Sequence, residues 1–348
     1  MSDSPQGDLF TEENLPTHKG APALNAKAPL QAGLGAFEQH MREEGFALNT
    51  IKSFASDIRL LGKYIGAGQP LGEIGTDDLN KFLNWLVYER GVPCSPKSYA
   101  RRVTTLKVFF GWLNESGVLL LNPAEAVVQM SVTSPLPTLP TPSEVERTTA
   151  VGQAWRTGHT LSGEKRKPDS RPYLLLTLLL QTGMKKGEVM GLVLNHIERD
   201  DDMNPQIFVR YKNPRMRYKE RKLAIEPEWL DVLDEYVAQY EISEAIFTCT
   251  ARNLEYILRD MSDEAGLEPG LISFENLRWT SALDDLRQGM EPDLIREKLG
   301  LSKVTWRETK SKLDRLKEQV REREETANTL AAEEAAEEET AAEQVETS

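Results

Sequence analysis

Residues 131–145, SVTSPLPTLPTPSEV, limit the fold more than any other stretch. Four prolines in fifteen residues fix φ and remove backbone donors, so neither a helix nor a central strand runs through them. The segment reads as a linker, and apolar periodicity resumes on both sides of it. A chain of 348 residues has room for two ordinary domains plus tails.

Before the linker, Ile51, Phe54, Ile58, Leu61 and Ile65 step by three and four, which is one helix face, with Asn49 as its expected N-cap. Leu79, Phe82, Leu83 and Leu86 mark a further helix entered through Thr76 and Asp77. Val103, Leu106, Phe110 and Leu113 mark another, between Pro96 and Gly117. A four-helix domain is expected over 33–130. Residues 1–32, poor in large apolar side chains, are expected to be disordered.

Beyond the linker, Ser143 and Glu146 form the expected capping box of the next helix. A polar, basic loop over 156–171 is expected to be mobile, and the apolar helix RPYLLLTLLLQT follows it. Residues 206–225 alternate as a hairpin around Asn213-Pro214. The helix PEWLDVLDEYVAQY, a strand-like AIFTCT and the helix NLEYILRDMSDEAGL follow. In 273–310, one helix closes at Gly289, a short one ends at Gly300, and a third runs on toward the terminus. The second domain is therefore expected over 146–325, mixed α/β, with a small antiparallel sheet. An acidic Ala/Glu tail with no apolar face fills 326–348, and solvation is its expected state.

The formal net charge is −13, but the ends carry most of it. Beyond Val320 stand ten Glu and two Arg, and 36–319 is close to balance. Within that body lie two basic clusters. One holds Lys97, Arg101, Arg102 and Lys107. The other holds Arg210, Lys212, Arg215, Arg217, Lys219, Arg221 and Lys222, opposed only by Glu220 and interleaved with Tyr211 and Tyr218. Either cluster is consistent with a solvated face, but so many cations on one hairpin exceed what solubility needs and point to phosphate. Cys94 and Cys249 are far apart and suggest neither a zinc site nor a disulfide framework. No cofactor or metal is expected. The longest apolar run, 173–180, is too short for a bilayer, so no membrane partner is expected and the cytoplasm is the natural compartment.

Several separated motifs share one order with a known family. ALNTIKSFASDIRLLGKYI and SPKSYARRVTTLKVFFGWLNESGVLLLNPAEAV resemble the SAM-like core-binding domain of the tyrosine recombinase (phage integrase) family. Thr182-Gly183-Met184-Lys185 with Glu188 resembles its Thr-Gly-Leu-Arg-x-x-Glu. Glu275-Asn276-Leu277-Arg278 resembles its His-x-Leu-Arg, and Leu299-Gly300-Leu301 its Leu-Gly-His. The resemblance covers roughly 35–312. It implies a protein that is mainly α, clamps double-stranded DNA between its two domains, and works at the bacterial nucleoid.

The same comparison places Lys185 at a catalytic arginine and Lys212 at the hairpin lysine, with Lys219 as runner-up. Glu275 and Leu301 stand at histidines, Arg278 at a retained arginine, and Lys310 at the nucleophilic tyrosine, nine residues after Leu301. No Tyr follows Tyr256 and no His follows His196, so a shift of register does not restore the site. The expectation is an inactive relative with no intact catalytic set. It would bind DNA through Lys97, Arg101, Arg102, Lys107, Arg210, Lys212, Arg215, Arg217, Lys219, Arg221 and Arg278. One alternative is an active strand transferase with a substituted nucleophile, such as Thr305, Thr309, Ser311, Tyr211 or Tyr218. Another is a protein scaffold working through the acidic tail. Leu313, Leu316 and Val320 continue an apolar stripe, and the resemblance implies that this helix docks on a neighbouring copy or a related recombinase.

Overall fold

The computed structural model describes residues 24–128, 135–199 and 204–346, in two units that meet at Pro135 and Leu136. Residues 1–23, residues 129–134 with the start of the expected linker, residues 200–203 and the last two residues of the tail lie outside the described residues.

The first unit holds α1 (Leu30–Glu43), α2 (Leu48–Ile65), α3 (Thr76–Tyr88) and α4 (Pro96–Glu115). The stripes read from the sequence turn inward: Ile58, Leu61, Phe82 and Phe110 are buried in one cluster together with Phe37 and Phe109, and Phe54 and Ile65 pack partly buried against it. The domain opens ahead of the expected Gly33, because Leu30 and Leu34 belong to that core. Asn49 is not the cap of α2. Ala47 holds that position and Asn49 sits inside the first turn. The α4 boundaries follow local chemistry. The Ser98 N–H donates to Ser95 Oγ at 3.2 Å, Pro96 takes the first helical position, and Gly117 leaves at φ 72°.

The second unit contains α5 (Pro142–Arg156), α6 (Arg171–Thr182), α7 (Lys186–Val189), α8 (Pro227–Tyr240), α9 (Ala251–Glu264), α10 (Phe274–Arg287), α11 (Pro292–Lys298) and α12 (Lys303–Glu346). Its antiparallel sheet has the order β1 (Ile197–Glu198), β2 (Gln206–Val209), β3 (Arg221–Ala224). Ile207 pairs with Leu223, and both side chains enter the main core beside Leu175, Leu179 and Trp229.

Four expectations change here. The capping box is Thr141 with Glu144, not Ser143 with Glu146: the Thr141 N–H donates to Glu144 Oε2 at 2.7 Å. The second half of the expected linker packs, with Leu139 buried. AIFTCT forms only a bridge between Val193 and Ala245, and its Ile246 and Phe247 fill the core instead. The basic loop 156–171 is pinned. His159 bridges to Lys165, the Leu161 N–H donates to Glu264 Oε1 at 2.6 Å, and Arg166 lies 3.8 Å from the Trp155 ring.

The C-terminal helix packs on its own unit. Trp306, Leu313, Leu316 and Val320 of α12 form a third cluster with Leu139, Ala282, Leu283, Ile295 and Leu299. Arg323 ties the helix to the Leu139 carbonyl and, at 3.0 Å, to Glu144. The stripe expected to meet a neighbour is therefore used internally, and the helix runs on without a break into the tail. Among the described residues no helix is long and apolar enough to cross a membrane.

Candidate nucleic-acid interface

Glu188 is the centre of the second unit's polar site. Its carboxylate is 2 % exposed and pairs with the Arg221 fork at 3.0 and 3.1 Å. The Tyr211 hydroxyl also donates to it. Its second oxygen accepts the Lys185 backbone N–H at 2.8 Å, which caps α7. Burial pushes the Glu188 carboxyl up, but the Arg221 pair and the Tyr211 hydroxyl outweigh burial and leave its pKa lowered. Burial and the hydrogen bond to Glu188 push the Tyr211 phenol up to about 12.

The ends of α6 and α11 close the site with two glycines in left-handed backbone. Gly183 has φ 57° and lies against Leu299 and Ser281. Gly300 has φ 58°, and a Cβ there would stand 2.8 Å from the Arg221 guanidinium. Arg278 reaches from α10 into this neck and donates to the carbonyls of Gly183 and Leu299. Its burial lowers its pKa to about 10. The Lys185 ammonium lies 4.0 Å from Glu188. Burial lowers its pKa, Glu188 opposes this, and Arg278, Lys219 and Arg221 lower it further. Three cations, Lys185, Arg221 and Arg278, thus share one buried carboxylate, and a fourth, Lys219, acts on Lys185. Such an arrangement favours an additional anion.

Residues 211–220 form a projecting tip on a fixed base. The Tyr211 N–H donates to Glu220 Oε1 at 2.9 Å, and a 3₁₀ turn, Pro214–Lys219, caps the hairpin. Lys212 and Arg217 are exposed there and Lys219 is half-buried. The Arg215 side chain lies outside the described residues. Arg210 is exposed over the Phe208 ring at 4.4 Å. Lys222 faces Glu198 at 2.6 Å.

The structure separates the sequence-derived cations by what already holds them. Arg221 is not an outward contact: it is 10 % exposed, and its Nε donates to the Lys298 carbonyl at 2.6 Å while its fork holds Glu188. Arg278 is likewise engaged inside. In the first unit, Arg101 grips Asp57 through two hydrogen bonds of 2.9 and 2.8 Å. Arg102 lies 3.5 Å from the same carboxylate and donates to Cys94 Sγ at 2.8 Å. Lys97 and Lys107 are exposed on α4. Asp57 was missed in the sequence, although it interrupts the apolar stripe of α2 between Phe54 and Ile58. A carboxylate on a buried face requires a cation.

Glu275 is exposed in the first turn of α10, where its charge suits the helix N-terminus. Leu301 packs against the α12 cluster, and Lys310 is exposed on α12. Among the described residues no His, Cys, Asp and Glu grouping fits a metal ion.

Residues 34–117 match the family described as the phage integrase N-terminal SAM-like domain. Tyrosine recombinase XerC of Roseiflexus sp. (strain RS-1) is 25 % identical over 288 residues, which cover 78 % of this chain and 85 % of that protein. These similarities support the tyrosine recombinase family. Tyrosine recombinase XerD of Agrobacterium fabrum (strain C58) is 24 % identical over 295 residues, covering 77 % of this chain and 85 % of that protein. The recombinase fold recurs in the XerH site-specific recombinase bound to palindromic difH substrate, with a TM-score of 0.66. Identity there is 16 %, and coverage is 90 % of this chain and 99 % of that one. A lambda integrase dimer bound to a COC' core site aligns with a TM-score of 0.62 at 16 % identity, over 81 % of this chain and 77 % of that one.

Proposed function

We propose that this tyrosine recombinase relative binds duplex DNA and does not cut it. The observation that carries the reading is the excess of cations at one buried carboxylate: Lys185, Arg221 and Arg278 share Glu188, and Lys219 stands near Lys185. Lys185 is held in a way that loosens its proton, and a DNA phosphate beside it would reverse that. The cation cluster is kept while Lys310, at the family's tyrosine position, has no hydroxyl to attack with. Lys185 also lacks the bidentate fork of the arginine it stands for. The raised pKa of Tyr211 and its bond to Glu188 argue against its serving as a substitute nucleophile.

In this reading Lys97 and Lys107 of α4 and Lys212, Arg217 and Lys219 of the hairpin neutralise phosphates, and Arg101 offers the free edge of its guanidinium. The role is architectural or regulatory, at a chromosomal or plasmid site of a bacterial cell. The salt dependence of binding tests it. Replacing Lys212, Arg217 and Lys219 together with Ala should flatten the slope of log affinity against log salt by about 2–3 units. An unchanged slope would take the hairpin out of the interface.

A further inference from the structure

Tyr218 stands at the tip of the hairpin with its side chain in the open. It is 73 % exposed, against 69 % for Tyr88 and 39 % for Tyr256. The Tyr256 ring is occupied, flanked by Arg252 and Arg259 at 5.5 and 4.7 Å, with Arg252 Nε on its hydroxyl at 2.7 Å. Tyr218 has Lys219 beside it, with Nζ 5.3 Å from the ring centroid.

The surroundings of the ring select its partner. Residues 212–219, KNPRMRYK, carry four cations and no acid. Glu220, the neighbouring acid, is turned onto the Tyr211 backbone. The tip is also prearranged. The Met216 N–H donates to the Asn213 carbonyl and the Glu220 N–H to the Arg217 carbonyl, both at 2.9 Å. Tyr211 and Arg221 fix the base on buried Glu188. Little ordering is lost when such a tip makes contact. An exposed aromatic ring among phosphate-seeking cations has the chemistry of a stacking platform for a nucleobase.

In a regular duplex every base face is covered, and uncovering one costs a few kcal/mol of stacking. At a bulge that cost has already been met. We infer that Tyr218 stacks on an unpaired base, so that the protein favours locally unstacked duplex DNA over regular duplex; this rests on the DNA-binding reading above.

The test uses the full chain and two fluorescent duplexes that differ only by one bulged nucleotide, at a single salt concentration. The wild type should bind the bulged duplex about tenfold more tightly. Tyr218→Ala should bind both duplexes equally, with its affinity for the regular duplex within about twofold of wild type, because the cations remain. Tyr218→Phe should keep the preference, since stacking needs the ring and not the hydroxyl. Equal binding of both duplexes by the wild type, or a preference that survives in Tyr218→Ala, would overturn the inference and leave the DNA-binding reading standing. Failure of the wild type to bind either duplex would overturn both.

Discussion

Glu188 shows how one side chain can hold a site together. Removing its charge leaves Arg221 buried without a counter-ion, and breaking a buried pair from one side costs about 3–5 kcal/mol. Glu188→Gln should therefore lower unfolding stability by about that amount in urea at neutral pH. The pH dependence has a defined sign. The folded pKa of Glu188 lies below its unfolded value, so its contribution is complete above the ordinary glutamate range of about 4.3 and fades as pH falls through the lowered value. The gap between wild type and Glu188→Gln should narrow on acidification, and a gap constant with pH would refute the assignment. Glu188 was legible in the sequence as the glutamate of the motif that begins at Thr182. Its partner Arg221 was not, since a basic hairpin gives no sign of which cation turns inward. Register decides this: Arg221 pairs with Val209 in the last rung before the tip, where its side chain turns onto Glu188, while Lys212 and Arg217 stand exposed in the tip beyond it.

At the scale of elements, apolar periodicity placed the helices well, because a stripe at three-and-four spacing has one way to be buried. It served less well where a short apolar run can pack without pairing, as in AIFTCT, and where two adjacent hydroxyls compete for one cap, as Thr141 and Ser143 do. The stripe of α12 was visible, but a stripe does not say whose surface it covers. Here it covers α10 and α11 of the same unit, so Leu316→Ala should destabilise the isolated protein by about 2–5 kcal/mol. A change within about 0.5 kcal/mol would show that the stripe is not packed in the single chain. Truncation after Glu325 removes only helix beyond that stripe. It should leave the thermal midpoint unchanged and tighten non-specific DNA binding by removing a tethered anion. A fall of several degrees in midpoint on truncation would contradict this.

At the scale of the whole molecule, the frame and the site carry different information. The order of motifs from the core-binding helices to Leu299-Gly300 identified the family from sequence, and the matched region 34–117 and the XerC and XerD relatives agree. What the altered positions do was less legible, because a substitution list does not say which side chains face a common centre. Lys185 and Arg278 lie beside Glu188, while Glu275 and Lys310 are exposed and Leu301 packs against the α12 cluster. The central claim is that the cations of this frame hold DNA without a covalent step. A duplex nicked beside the candidate scissile phosphate would trap any 3′-linked adduct, and the same mixture can be run on native and denaturing gels. The account predicts a salt-sensitive complex on the native gel and free DNA alone on the denaturing gel; a protein-sized shift that survives denaturation, or no complex on the native gel, would contradict it.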